Sequence, residues 1–331
     1  MKNIFFAACT ALALALPVVG TAQTYVFDSA FGSMGSGDGQ LLYPGGLALD
    51  NSGNVYVADN YNDRVVEFTG KGAFMRNIGS TGGGAGQLSR PLGITLDGSG
   101  NAYVADTYNQ RIEEFNSSGA FVRSIGGFGS GAGQLDFPSS VTLDGSGNIY
   151  VADQLNHRIE EFNSSGAFVR AIGSKGSANG QFIDPTTLTL DSNGNIYVVD
   201  NGNQRIEEFN SSGAFVRSIG SKGSANGQFT APYGVAFDGG GNLYVADNAG
   251  RRVVEFNSNG AFLQNISSFG SGQFNAPQGI VFDKSGSMYI VDGSNNNVVK
   301  FRVAATPAPG SLLVMAAGLA GGTVLLRKRR K

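Results

Sequence analysis

Tryptophan is absent from this 331-residue sequence, and cysteine and histidine occur once each, as Cys9 and His157. The lone thiol lies in the first dozen residues, so a chain starting near Gln23 carries no disulfide, no sulfur redox couple and no cysteine-based metal site. One imidazole excludes a multi-histidine zinc centre, and a Ser-His-Asp triad would have to be built on His157 alone. Charge is scarce as well, at 15% Asp, Glu, Lys and Arg. Six of the 23 basic residues are Lys2 and the run Arg327 to Lys331, and the segment between them has 17 basic against 25 acidic residues, a net charge of −8. An acidic body disfavours nucleic acid, whose affinity comes largely from Lys and Arg contacts to phosphate, so no nucleic-acid partner is expected.

Glycine is abundant instead, at 51 residues and about twice its usual share of about 7%. It lacks the Gly-X-Y period of collagen, and 41% apolar residues are too many for a disordered chain, so a globular, turn-rich protein remains. Residues 1–22 combine Lys2, the apolar run Ile4 to Val19 and the small-residue end Gly20-Thr21-Ala22, the pattern of a secretory signal peptide. Residues 304–331 carry Pro307 and Pro309, then 17 uncharged residues from Gly310 to Leu326, then the basic cluster. Seventeen is the lower limit for a membrane-spanning helix, and the basic end should stay on the cytoplasmic side. Export across the inner membrane is expected, with the body in the cell envelope or outside the cell and anchored at its C-terminus at least transiently. Proline, short apolar helix and terminal Arg/Lys cluster together resemble the bacterial PEP-CTERM sorting signal. That resemblance implies an exosortase-type sorting and processing enzyme as a partner; Ala308 stands where the signal usually has Glu.

Between these segments the chain repeats itself. Asp recurs at 59, 106, 153, 200, 247 and 292, at spacings of 47, 47, 47, 47 and 45 residues, and Pro recurs at 44, 91, 138, 185, 232 and 277. A period in the forties, with short apolar runs between Gly/Asn/Ser turns, predicts one four-stranded antiparallel unit per repeat. Such a unit is apolar on both faces and must pack between neighbours, so residues 23–303 are predicted to close radially as an all-β, six-bladed β-propeller. The sixth repeat stops after a third strand, Val298 to Val303, while Tyr25 to Phe31 precedes the first. The N-terminal strand is therefore expected to complete the last blade and remove two exposed edges.

The segment Asn156-His157-Arg158-Ile159 and its counterparts resemble the start of a strand in the NHL repeat, over roughly residues 25–303. The resemblance implies the propeller fold but no single function, since propellers of this kind include peptide-processing lyases, RNA-binding modules and sensor domains. The peptide-amidating lyases among them hold zinc with several histidines, which this sequence does not supply.

The pairs Asp59 and Arg64, Asp106 and Arg111, Asp153 and Arg158, Asp200 and Arg205, and Asp247 and Arg252 recur blade after blade, as a structural clasp should and a catalytic pair should not. His157 stands where other repeats carry Asp63, Gln110, Gln204, Arg251 and Asn296, and reads as a solvated loop residue. The Asp-Gly-Ser-Gly-Asn turns at 97 and 144 resemble the start of a calcium loop but lack its twelfth-position Glu, so turn chemistry accounts for them. Gly-rich stretches such as that at 173 match no phosphate loop and read as linkers between blades.

A unique site should lie where the repeats disagree, on the rim shared by the linkers and the loops after each repeat Asp. Candidate rim residues are Tyr43, Arg90, Phe137 and Asp184 before the repeat prolines, Tyr233 and Gln278 after them, and Tyr61, Tyr108 and His157 nearby. The reading is a monomeric, non-catalytic binding or scaffold module for an extracellular glycan, a peptide or an envelope protein, with a role in the exopolysaccharide matrix. The alternative is a metal-dependent hydrolase or lyase acting in the central channel. No cofactor is expected, and calcium is the one ion that an oxygen-only ligand set would hold.

Overall fold

A computed structural model of the chain describes residues 22–304, apart from residue 271. The leader and the sorting tail read from the sequence lie outside these residues, apart from residues 22 and 304 at their borders. Six four-stranded antiparallel sheets form among the described residues. Blade 1 comprises Leu47–Leu49, Val55–Asp59, Arg64–Phe68 and Phe74–Ile78, from the channel outwards. Blade 3, a fuller example, comprises Pro138–Leu143, Ile149–Asp153, Arg158–Phe162 and Phe168–Ile172. Blade 6 takes Pro277–Phe282, Met288–Asp292 and Asn297–Val303 from its own repeat, and its outer strand is Tyr25–Phe31. That strand pairs antiparallel along its length, from Tyr25 opposite Val303 to Phe31 opposite Val298.

Alternation along each strand explains the packing. Within Val55–Asp59, Val55 and Val57 join Val291, Val298 and Phe31 of blade 6, whereas Tyr56 and Ala58 join Ala102, Val104 and Ile94 of blade 2. Side chains of a strand point to opposite faces in turn, so a strand buried on both faces must be apolar throughout. The core is accordingly a ring of six seams, each shared by two neighbouring blades. The seam of blades 6 and 1 closes the ring, with Phe31 against Phe68 at 5.2 Å between ring centres.

The Gly-rich stretches do more than connect blades, which corrects the reading of them as plain linkers. Each folds back on itself and inserts one apolar side chain into a seam: Leu41, Leu88, Leu135, Phe182, Phe229 and Phe274, all at most 1% exposed. Gln134 caps the third of these loops by accepting from Gly131 N at 2.9 Å. Gly129 beside it has φ +148, and a Cβ there would lie 2.5 Å from Gln134 Cδ, so only glycine fits.

Strand direction fixes which ends share a face. The first and third strands of every blade run away from the rim that carries the linkers, and the second and fourth run towards it. Tyr25 and Val303 therefore lie together on the opposite face, where Ala304 N donates to Thr24 O at 2.8 Å. Both described ends of the chain leave from that face.

Candidate functional site

All five Asp/Arg pairs form, with Nε to Oδ2 distances of 2.9, 3.0, 2.9, 2.8 and 3.1 Å in blades 1 to 5. Each Asp is fully buried at the end of the second strand. Its other oxygen accepts from the incoming linker, as Asp153 Oδ1 does from Asp136 N at 2.7 Å, while Arg158 donates to the carbonyls of Ser130, Gly131 and Gln134. The pair thus ties a linker to its blade. A second buried carboxylate shares the arginine in blades 2 to 4, namely Glu113, Glu160 and Glu207. Burial, with one guanidinium for two carboxylates, pushes Glu160 and Glu207 up to about 7. Desolvation also raises Asp59, Asp106, Asp153 and Asp200 despite their pairing. Arg158 Nη2 lies 2.8 Å from Glu160 Oε1 without directing an N–H at it, so that oxygen accepts no hydrogen bond.

The turns on the opposite face are closed on themselves. Asp144 Oδ1 accepts from Ser146 N and Asn148 N at 2.8 and 2.9 Å, and Oδ2 accepts from Asn148 Nδ2 at 2.8 Å. Among the described residues no group of three or more His, Cys, Asp or Glu side chains is placed to hold a metal ion.

At the rim, the residues before the first four repeat prolines adopt the left-handed conformation: Tyr43, Arg90, Phe137 and Asp184 have φ of 50, 52, 60 and 51°. For side chains of this size such backbone is strained by about 1 kcal/mol or more each, so the surroundings must enforce it. They do so across the blade seams. Asn296 Oδ1 accepts from Tyr43 N at 2.7 Å, Asp63 Oδ1 from Arg90 N at 2.8 Å, Gln110 Oε1 from Phe137 N, and His157 Nδ1 from Asp184 N at 3.1 Å. His157 is therefore no solvated loop residue: its side chain is 13% exposed and holds the next blade's linker. Its sequence position hides this, because the partner lies in the following repeat.

Seven of the nine rim candidates meet in one cavity of about 280 Å³ at the channel mouth: Tyr43, Tyr61, Arg90, Tyr108, Phe137, Tyr233 and Gln278. Asp184 and His157 do not line it. The Arg90 guanidinium stacks on Tyr61, 3.6 Å from the ring centre; Tyr43 meets Tyr61 edge-on at 5.6 Å, and Tyr108 lies 5.4 Å from Phe137. Tyr233 and Leu92 also line the lower channel, of about 350 Å³, so they form the partition between the two spaces. Burial there, with Tyr43 beside it, pushes the Tyr233 hydroxyl upwards. The throat is narrow because the innermost strands nearly touch: Gly46 N donates to Leu92 O at 2.7 Å, and a Cβ on Gly93 would lie 2.6 Å from Ser140 Cα.

Three lining residues escaped the sequence reading: Asn60, Asn201 and Asn248, each directly after a repeat Asp. Their Nδ2 groups donate to the carbonyls of Pro91, Pro232 and Pro277 in the next blades, at 3.1, 2.7 and 3.4 Å. That recurring Asp-Asn pair was the available signal. The mouth is also lopsided, since the loop tips carry Tyr61, Tyr108 and Leu155 on blades 1 to 3 but Gly202, Ala249 and Ser294 on blades 4 to 6. No carboxylate of the described residues lines the cavity.

Two family models match parts of the chain: a 6-bladed beta-propeller family over residues 138–220, and the NHL repeat over residues 41–68 and 88–115. The chain is thus a six-bladed propeller carrying NHL repeats. Protein lin-41 of Caenorhabditis elegans is 49% identical over 45 residues, a match that spans 14% of this chain and 4% of that protein's length. Similar solved structures include a streptogramin B lyase, at TM-score 0.59 and 14% identity, covering 83% of this chain and 97% of that one. A gluconolactonase from Xanthomonas campestris has TM-score 0.64 and 16% identity, covering 88% and 99%. A Bacteroides thetaiotaomicron protein of unknown function has TM-score 0.68 and 18% identity, covering 86% and 77%. At these identities the likeness is one of fold, and function has to be argued from the site.

Proposed function

We propose that this NHL-repeat propeller is an exported, envelope-associated binding module whose channel mouth recognises a glycan of the extracellular matrix without transforming it. The observation that carries the reading is the chemistry of the mouth cavity: the described residues line it with five aromatic rings, four carboxamides and one guanidinium, and with no carboxylate. Such a lining offers stacking faces and hydrogen-bond acceptors, as a sugar requires, and lacks the acid and base that glycoside or lactone chemistry would use. Similarity in fold to a lyase and a gluconolactonase keeps a metal-dependent hydrolase as the other reading. The neutral oxygen ligands here, with a cation beside them, favour recognition over that alternative.

The direction of the chain ends supports display. An anchor following residue 304 would hold the face opposite the mouth towards the membrane and leave the mouth facing outwards. Repetition supports it too, because Asp/Arg clasps and seam packing explain the repeated residues and leave the rim to vary.

The test is binding of matrix-type oligosaccharides to the immobilised full chain and to a variant with Tyr43, Arg90 and Tyr233 all changed to Ala. Loss of a few such contacts should weaken binding at least about tenfold. Unchanged affinity in the variant contradicts the assignment of the mouth.

A further inference from the structure

We infer that the mouth selects an acidic sugar, a hexuronate unit whose carboxylate is taken by Arg90 and whose hydroxyls are taken by the carboxamide oxygens; this rests on the glycan reading above. Among the described residues, Arg90 is the only cationic side chain lining the cavity. Its backbone N–H is held by Asp63 and its guanidinium lies flat on Tyr61, yet no carboxylate of the described residues forms an ion pair with it. A guanidinium fixed by stacking, with its fork of donors unused, matches a carboxylate in bidentate fashion.

Gln278 supplies the independent sign that a ligand belongs there. It is 3% exposed, it lines the cavity, and its Oε1 accepts no hydrogen bond from the described residues. A buried acceptor without a donor is costly, and a ligand hydroxyl would satisfy it. The Asn60, Asn201 and Asn248 side chains have their Nδ2 groups tied to proline carbonyls, which leaves each amide oxygen as an acceptor. Several acceptors and one guanidinium call for a ligand with several O–H donors and one anion. Metal cations fit poorly beside Arg90, and a neutral sugar leaves the guanidinium without its counter-charge. At about 280 Å³ the space sits at the small end of ligand pockets, which suits one ring rather than a folded peptide segment. Tyr43, Tyr61 and Tyr108, all substantially exposed, provide the faces for the ring and its neighbours in a chain.

Calorimetric titration of the full chain in detergent, with hexagalacturonate and with the same oligomer after reduction of its carboxylates to alcohols, tests the inference. The acidic oligomer should bind about ten- to a hundredfold more tightly, the range of one charged hydrogen-bonded pair. Arg90→Gln should bring its affinity down to that of the reduced oligomer, and Arg90→Lys, which keeps the charge but not the fork, should retain part of the difference. Thermal unfolding of both variants shows that they are folded. Equal binding of the two oligomers by the native chain, or a preference that survives Arg90→Gln, overturns the acidic-sugar inference and leaves the glycan reading intact. Binding of neither oligomer defeats both, and hexaglutamate competing as well as hexagalacturonate overturns the sugar in favour of an acidic peptide.

Discussion

Removal of residues 23–32 should lower the melting temperature by about 10 °C or more, because the strand they form completes blade 6 from the other end of the described chain and carries Phe31 into the seam that closes the ring. Phe31 sits in the seam of blades 6 and 1 against Phe68, and Tyr25 packs edge-on to Tyr244 at 5.9 Å and beside Phe282. Losing a buried phenylalanine alone costs about 3–5 kcal/mol, and the unpaired edge of Asn297–Val303 would add an aggregation surface. Phe31→Ala should reproduce roughly half of the loss if seam packing is the main term. Differential scanning calorimetry checks both; a deletion variant that melts with the parent would mean that the ring does not depend on this closure.

An equally large effect is expected from Arg158→Met in blade 3. The substitution keeps apolar volume but leaves Asp153 and Glu160, both fully buried, facing each other without a cation. Breaking a buried pair by removing one partner costs about 3–5 kcal/mol, chiefly through the stranded charge, which corresponds to a drop of about 10 °C for a chain of this size. The loss should shrink in acid, and the sign follows from proton binding. Glu160 and Glu207 are raised to about 7 from the ordinary 4.5, so the folded state holds more protons than the unfolded chain between these values. Their contribution is fully present below about pH 4.5 and is lost as pH rises through about 7. The native protein should thus melt higher at about pH 5.5 than at about pH 8, and Arg158→Met should show a steeper dependence of the same sign. Glu160→Gln combined with Glu207→Gln should flatten it. A melting temperature that rises between these two pH values would contradict the assignment.

Legibility in the sequence followed locality. The strand pattern, blade count, clasps and closing strand could be read because each depends on alternation within a strand or on the period of 47. The channel mouth was legible as a set of positions, since Tyr43, Arg90, Phe137, Tyr233 and Gln278 flank prolines whose spacing repeats. Contacts across a seam were not. The jobs of Asn60, Asn201 and Asn248 depend on a proline carbonyl in the next blade, and at the same position the other repeats have Thr107, Gln154 and Gly293, so the Asp-Asn pair, present in three of the six repeats, marks the positions without showing what they hold. His157 was misread for the same reason: its partner, Asp184 N, lies 27 residues away in the following linker. The apolar residue in each Gly-rich stretch looked isolated among glycines, although it fills a seam between blades.

Recognition of an acidic sugar at the channel mouth is tested by a crystal structure of the protein grown with hexagalacturonate. An unbroken oligosaccharide is expected at the mouth, one ring over Tyr61 and Tyr43, its carboxylate on Arg90 and a hydroxyl within hydrogen-bond distance of Gln278 Oε1. A sugar bound on the opposite face, or a cleaved product in the lower channel beneath Tyr233, would contradict it.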